Sequence, residues 1–463
     1  MHVIADLQLH SRFSRAVSPQ MTIPNIAAWA ARKGIGLVAT GDWTHPLWMR
    51  EIRESLEEVG NGLLRLKNTT NTTNQTNKEQ RQEDSLFLLA TEVSCIYSQG
   101  GHGRRVHTLI WVPTLESADK INREMTRQGC NLLSDGRPII GLTSIHLAEL
   151  VLTIEPKALI IGAHIWTPWF ALYGSMSGFD SIDEAFGPYA KDIYAVETGL
   201  SSNPSMNWRI KELDNRSIVS FSDAHSGPKL GREATVFDLQ ELNYDSIADA
   251  IKAPCLNSKL KTLSSKIAYT IEFYPEEGKY HYTGHRACNV RLSPEESRSK
   301  GTTCSVCGKP LTQGVMQRVE ELASRSEEDL KMSDIRYKMK DGTQIQMMGS
   351  KAFPNRPPFV MLVPLQEIIA ESIGSPVASP KVQAPYMKLT DMPGGEFHVL
   401  VSASPKDIAT IAGDRVAAGV DKVRRGDLVI DPGYDGVFGV VRLWREGEEK
   451  PLVDASKEQL SMF

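Results

Sequence analysis

From Met1 to about Ser265, short apolar runs alternate with stretches whose apolar residues recur at helical spacing. HVIADLQLH reads as a strand, IPNIAAWAARKG as a helix, and IGLVATGD as the next strand. SLFLLATEVS, VHTLIWVP, ALIIGAHIW, IYAVETG and SIVSFSDAH continue the series. Strand–helix alternation at this spacing predicts a parallel α/β sheet or barrel. Polar and metal-binding residue types recur just after the apolar runs. In α/β folds that is the C-terminal edge of the sheet, where active sites sit.

Residues 67–84, KNTTNTTNQTNKEQRQED, break the pattern: the segment is polar, of low complexity and unable to bury a core. Its Asn-x-Thr triplets at Asn68, Asn71 and Asn74 are glycosylation acceptors only in a secreted chain. MHVIADLQLHS has no basic region followed by an apolar stretch, so a surface insertion in a cytoplasmic protein is expected. No run of 18 or more apolar residues exists, and no membrane span is predicted. A compact Cys/His segment occupies about residues 272–310. Beyond it VMQRVEELASRS, VPLQEIIAESIG and EFHVLVSASPKDIATIAGDRVAAGVDKVRRG read as helices, with the proline-rich residues 353–358 as a connector between helices. A glycine-rich strand-turn, LVIDPGYDGVFGVVRLW, precedes a polar tail. The expected division is a barrel at 1–270, a zinc module at 271–312, a mainly helical domain at 313–452 and a tail at 453–463.

Composition narrows the class. At 463 residues two or three domains are expected, and 41% hydrophobic with 23% charged residues is ordinary for a globular protein. Six cysteines, two of them in one CxxC, suit a metal site in a reducing compartment better than a disulfide framework. The net charge of −4 leaves nucleic-acid binding to a local basic patch.

Candidate chemistry falls at the strand ends. DLQLHS supplies Asp6, Gln8 and His10, and TGDWTH supplies Asp42 and His45. Glu92, His107 and His164 stand singly in TEVS, VHTL and GAHIW, and FSDAHSG supplies Asp223 and His225. Imidazoles with carboxylates suit Zn²⁺, Mn²⁺, Mg²⁺ or Fe²⁺. A carboxylate bridging two ions can clamp both oxygens of an in-line phosphoryl displacement. Separately, His285-x-x-Cys288 and Cys304-x-x-Cys307-Gly form two knuckles 15 residues apart. Three thiolates and an imidazole make a closed tetrahedral zinc site, structural because no position is left for water. His281 is a rival fourth ligand with poorer spacing. Cys95, Cys130 and Cys255 have no partner at metal spacing and are expected to be free thiols.

The ordered set DLQLHS, TGDWTH, Glu92, His107, His164 and SDAH resembles the PHP (polymerase and histidinol phosphatase) superfamily of metal-dependent phosphoesterases. The resemblance implies a distorted (βα)7 barrel with two to three divalent ions at the C-terminal ends of its strands. Glu92, Asp223 and His225 would be catalytic, His10, His107 and His164 would complete the coordination, and Asp6 would support them from behind. Gln8 stands where the family has the first histidine of its HxH pair, and Trp43 replaces a second-motif histidine. Asp42 and His45 are both expected to share that work. YHYTGHRACNVRLSPEES, CSVCGKPLTQGVMQRVEELA, VPLQEIIAES and PGYDGVFG resemble the endonuclease Q family, over nearly the whole chain apart from the polar insertion. That resemblance implies DNA repair: hydrolysis of the phosphodiester bond 5′ to uracil, hypoxanthine, xanthine or an abasic site, leaving a 3′-hydroxyl and a 5′-phosphate.

DNA contacts are then expected near the motifs. Trp43, Trp48, Trp166, Trp169 and Tyr173 are candidates to stack on bases, though core packing is the commoner use of such residues. Arg12, Arg104, Arg105, Lys229, Arg232, Arg286, Arg291, Lys300, Lys309, Lys422, Arg424 and Arg425 are candidates for phosphate. The terminal QLSMF resembles the peptide that binds the bacterial sliding clamp, with Gln459, Leu460, Met462 and Phe463 as anchors. Two rivals remain at this point. A small-molecule phosphatase needs only the barrel, and a non-catalytic DNA-binding protein would have lost the barrel's metals.

Overall fold

The computed structural model describes residues 1–67, 85–254, 265–338 and 344–448. Seven strands form the barrel wall in the order in which the chain makes them: β1 (His2–Asp6), β2 (Leu37–Ala39), β3 (Leu86–Gln99), β4 (His102–Val112), β5 (Leu159–Gly162), β6 (Ala195–Glu197) and β7 (Ser217–Val219). All neighbours are parallel except at β4, which runs antiparallel to both β3 and β5. The exception follows from sequence: Gly100 and Gly101, both at positive φ, turn β3 straight back into β4 as one long hairpin. Closure comes from a bridge between Leu9 and Ala224, just past β1 and β7, where His10 N–H donates to the Ala224 carbonyl at 3.0 Å. That bridge draws the DLQLHS and SDAH motifs together at one rim. The β1–β3 and β5–β7 runs are buried on both faces, as expected of strands covered by crossover helices.

The sheet does not end with the barrel. β8 (Ala234–Asp238) and β9 (Lys266–Glu272) pair antiparallel outward from β1. β12 (Phe359–Met361) joins β9 in parallel, and β11 (Gln344–Ser350) and β10 (Met332–Lys338) extend it further. The sequence reading made residues 313–452 mainly helical with 353–358 between helices; in the structure that connector lies between two strands. In β11 the apolar residues alternate, with Ile345 and Met347 buried, a period of two that the open edge of β9 recruits. Helices dominate only from Leu365: Leu365–Ile373, Pro380–Thr390, Gly395–Val401, Pro405–Ala412 and Asp414–Arg424.

These helices dock on the barrel through the helix Ile23–Lys33. Its terminal Gly34 sits at φ 82°, and a Cβ there would lie 2.1 Å from the Gly394 carbonyl oxygen, so only glycine allows the approach. Beside it the buried Lys33 pairs with the buried Glu396 at 2.6 Å. The Cys/His module is the hairpin Thr283–His285/Val290–Leu292 with its own small core of Leu292, Cys304 and Leu311.

Candidate active site

Six side chains meet at one rim of the barrel: His10, His164, Asp223 and His225 follow the ends of β1, β5 and β7, while Glu92 and His107 lie within the long strands β3 and β4. Donor atoms of His10, Asp223 and His225 lie within 4.8 Å of one another, and so do those of Glu92, His107 and His164. Glu92 joins the two groups. Its Oε1 lies 2.5 Å from His107 Nδ1 and 3.3 Å from His164 Nε2, while Oε2 lies 3.0 Å from His10 Nε2. His10 Nε2 is also 3.2 Å from Asp223 Oδ1. Asp42, His164 and Asp223 all hold left-handed backbone angles, φ 42°, 30° and 47°, a conformation costly for non-glycine residues and one that collects at functional sites.

The supporting groups explain the aim of these donors. Asp42 accepts from His10 Nδ1 at 2.9 Å, from Ser11 N–H at 2.6 Å, and from the hydroxyls of Ser11 and Ser14 at 2.7 and 2.8 Å. All its capacity is spent, so Asp42 orients His10 and leaves Nε2 facing the cluster. Asp6 accepts from Ser222 N–H at 3.0 Å and Gly231 N–H at 2.8 Å, which pins the SDAH loop; burial pushes its carboxyl up to about 6 against those bonds. His45 goes elsewhere: it occupies the N-cap position of the helix Pro46–Ser55, without a side-chain capping bond, and stacks on Phe13 with ring centroids 4.6 Å apart. Gln8 faces Glu92, its amide nitrogen donating to Oε2 at 2.8 Å, while its buried oxygen has no partner.

Two participants escaped the sequence reading. Arg137 brings Nη1 to 3.3 Å from His10 Nε2 and 3.5 Å from Glu92 Oε1. It is held by Gly136, where a Cβ would fall 2.3 Å from both Asp42 Oδ2 and Ser14 Oγ. No apolar run precedes it, so strand-end reasoning could not find it. Glu197 accepts the His164 N–H at 2.7 Å and keeps a buried oxygen unpartnered. It ends the apolar run YAVE and carried the same signal as Glu92.

The electrostatics suit cations. Burial opposes a charge on Glu92, yet Arg137, His107 and His10 hold its carboxyl well below the usual range. Burial brings His107 down to about 4, leaving the neutral imidazole that a metal needs. Buried carboxylates and imidazoles converging on common points, with the unpartnered oxygen of Gln8 beside them, fit divalent ions.

Four more residues assemble in the small module. His285, Cys288, Cys304 and Cys307 place their donor atoms within 4.8 Å, with His285 Nδ1 3.5 Å from Cys307 Sγ. Desolvation works against the Cys304 thiolate, but backbone N–H groups of Cys307 and Val306 bring it down to about 6. His281 is not part of this group. It lines a cavity of about 470 Å³ with Arg105, Trp169, Phe170, Lys279 and Tyr280. That cavity touches the rim, because the Phe170 ring is 4.9 Å from His107.

The expected DNA contacts divide. Trp43, Trp48, Trp166 and Tyr173 are core residues: Trp166 donates to Asn207 at 2.8 Å, and Trp48 to the Gly41 carbonyl at 2.9 Å. Arg424 is buried and donates to the carbonyls of Val399, Leu400 and Ala403, closing the end of the helix Gly395–Val401. Lys422 is also buried, pairing with Asp427 and Glu448. Arg12 pairs with Glu51, Lys229 with Glu367, Arg425 with Asp421, Arg291 with Asp431 and Lys300 with Glu296. Arg104 bonds Glu184 and covers the Phe179 ring, and Arg232 donates to the Ser222 carbonyl at 2.9 Å. Only Arg105 and Trp169 face the cavity. Cys95 and Cys130 are free thiols. Cys255, most of the polar insertion and the tail Gln459, Leu460, Met462 and Phe463 lie outside the described residues. No helix among the described residues is long and apolar enough to cross a membrane.

Comparison with known proteins agrees with this geometry. Residues 364–427 match the family described as the MJ0043 C-terminal domain, which coincides with the helical region. The chain is 29% identical over 459 residues to the uncharacterized protein YqxK of Bacillus subtilis, covering 95% of this chain and 99% of that one. It is 31% identical over 283 residues to the uncharacterized protein MJ0043 of Methanocaldococcus jannaschii, 60% of this chain but 31% of that longer protein. Among solved structures, the lesion-specific endonuclease PfuEndoQ from Pyrococcus furiosus superposes with a TM-score of 0.76 at 30% identity, over 96% of this chain and 95% of that one. Endonuclease Q in complex with a 27-mer duplex carrying an abasic lesion at the active site gives 0.75 at 30% identity, over 97% and 99%. With likeness of this extent along both chains, the protein belongs to the endonuclease Q family, and it is a metal-dependent DNA endonuclease.

Proposed function

We propose that the chain nicks DNA on the 5′ side of deaminated bases (uracil, hypoxanthine and xanthine) and of abasic sites, leaving a 3′-hydroxyl and a 5′-phosphate. The observation that carries this reading is the pairing of two donor clusters bridged by Glu92 with an aromatic cavity whose Phe170 wall packs against His107. A phosphatase acting on small esters has no use for a 470 Å³ chamber walled by Trp169, Phe170 and Tyr280 beside its donors. A damaged nucleotide, already poorly paired, unstacks at low cost and fits such a chamber once flipped out.

Divalent ions held by the two clusters would lower the pKa of a water and neutralise charge on the phosphate oxygens. The protein's part is orientation. Glu92 offers one oxygen to each cluster, and Asp42 fixes the His10 ring so that Nε2 stays on target. Asp223, on its strained turn, is placed to accept the proton of the attacking water. Arg137 supplies a fixed cation at the rim for a non-bridging phosphate oxygen, a group the bidentate guanidinium fits. Trp169, Phe170 and Arg105 receive the extruded nucleotide. The zinc-type module is structural, its four donors leaving no open position. Sliding-clamp binding by Gln459, Leu460, Met462 and Phe463 belongs to the same proposal; removing them should abolish clamp retention and spare nicking of short duplexes.

The test uses end-labelled duplexes containing one deoxyuridine, deoxyinosine or abasic site, with Mg²⁺, Mn²⁺ or Zn²⁺ supplied in turn. A single cut 5′ to the lesion, absent from undamaged duplex, is expected. Uniform cutting of all duplexes, or phosphate release from small esters without any nick, would defeat the lesion-specific reading.

A further inference from the structure

The hairpin Val429–Asp431/Val440–Arg442 carries an exposed apolar cluster of Ile430, Val437, Phe438 and Val440. Among the described phenylalanines Phe438 alone is exposed, with 66% of its surface open. An aromatic side chain so displayed is costly in water unless something else covers it. Its loop is far from loose. Gly433 N–H donates to the Glu276 carbonyl at 2.8 Å, Gly436 N–H to Lys279 at 2.9 Å and Gly439 N–H to Glu277 at 3.1 Å, while Gly433 accepts from Tyr282 N–H at 2.9 Å. Asp435 adds a bond from Arg286 N–H at 2.7 Å and one from the Thr312 hydroxyl at 2.5 Å. A Cβ at Gly439 would lie 2.0 Å from the Glu276 carbonyl oxygen, so the fit depends on glycine.

The strand of chain that grips this loop is the one that lines the aromatic cavity. Gly278, Lys279, Tyr280 and His281 form its wall, and Lys279 Nζ sits 4.4 Å from the centre of the Phe438 ring. The Arg286 guanidinium lies next to Gly436, in the same loop as Phe438. A continuous path therefore runs from His107 through Phe170 and the cavity to Lys279 and Phe438. At its outer end an aromatic ring on a hydrogen-bonded loop stands against Lys279, with Arg286 beside Gly436 two residues along the same loop.

We propose that Phe438 is a wedge for duplex DNA: it enters the base stack at the gap left when the lesion nucleotide moves into the cavity, while Lys279 and Arg286 hold the flanking phosphates. The inference rests on the nicking activity proposed above. Flipping leaves an unstacked gap that an apolar side chain can fill, and base–aromatic stacking recovers part of the unpairing cost without reading sequence. Positive charge beside the ring matches the phosphates on either side of that gap. The glycine-rich turn thereby gains its reason: it holds the ring against Lys279, on the segment that walls the cavity.

The experiment compares the full-length protein with Phe438→Ala and Phe438→Trp on a duplex with an abasic site opposite 2-aminopurine. Binding to the single lesion strand is measured in parallel by anisotropy. With the wild-type chain, 2-aminopurine fluorescence should change on binding. Phe438→Ala should lose that change and nick the duplex with kcat/KM lower by roughly tenfold or more, while Phe438→Trp keeps both. Affinity for the single strand, which has no opposing stack to enter, should be the same for wild type and Phe438→Ala. Wild-type values for Phe438→Ala on the duplex would overturn the wedge and leave the endonuclease standing. An equal loss on the single strand would also overturn it, by showing a merely structural role. A wild-type chain that nicks no lesion would remove both proposals together.

Discussion

The barrel rim and the zinc-type module both gather metal-binding side chains, but by opposite means. In the module, four donors come from two tight turns within residues 285–307, three are sulfur, and Cys307 is exposed. At the rim, donors come from wall strands and the turns just after them, spread between His10 and His225, all are nitrogen or oxygen, and most are buried. The module can build its site from local chain, and on the proposed reading a bound ion would contribute directly to its folding. The rim needs the whole barrel folded first, and hydrogen bonds donated to Asp42, Asp6 and Glu197 keep its donors aimed. On the proposed reading one centre serves stability and the other serves chemistry.

The largest effect expected from breaking this contrast is at Glu92. Glu92→Gln removes the shared carboxylate and should lower nicking by more than about 1,000-fold, since ion-assisted charge stabilisation supplies several kcal/mol. Zinc in the module and thermal stability should be unchanged, as read by metal analysis and calorimetry. Next comes Asp42→Asn, which leaves every direct donor in place but loosens His10; a fall of about 10–100-fold in activity or barrel metal affinity is expected. Cys307→Ser should cost one zinc per chain and weaken duplex binding, with less loss of nicking than Asp42→Asn and intact barrel circular dichroism. The smallest effect concerns stability alone. Burial raises Glu272 to about 7 from the ordinary 4.5, so the folded chain prefers the protonated acid. Below pH 4.5 it is neutral folded or unfolded. Between about 4.5 and 7 the unfolded chain ionises first and stability falls, by about 3 kcal/mol at most, then levels off. Glu272→Gln should flatten that slope in pH-dependent urea unfolding. The neighbouring Glu233, also raised, keeps some of it.

The same contrast governs what could be read from sequence. HxxC and CxxCG are local, and their spacing alone announces the module's site. His10, His164, Asp223 and His225 were legible because each follows an apolar run, the mark of a strand's C-terminal end, whereas Glu92 and His107 lie inside their strands and were legible as members of the ordered motif set. Roles within the rim were less so. Asp42 and His45 sit three residues apart in one motif, and only the turn geometry sends one to His10 and the other to Phe13. Arg137 arrives on a Gly-assisted turn with no periodic pattern. Surface chemistry was the least legible. Trp43, Trp166 and Arg424 have the residue types of DNA contacts, yet they fill the core or close a helix end, whereas Phe438, within a glycine-rich turn, is the aromatic left exposed. The strands at 332–361 were missed because their alternation is short and their partner edge, β9, is supplied by distant sequence.

One measurement bears most directly on the division of labour between the two centres: metal content and lesion nicking followed together during mild chelation and readdition. The barrel ions should leave first, nicking of the abasic duplex should vanish with them while one zinc per chain remains, and adding Mg²⁺, Mn²⁺ or Zn²⁺ should restore cutting. Nicking that persists after the barrel is emptied, or that disappears only with the module's zinc, would contradict the assignment of catalysis to Glu92 and its neighbours.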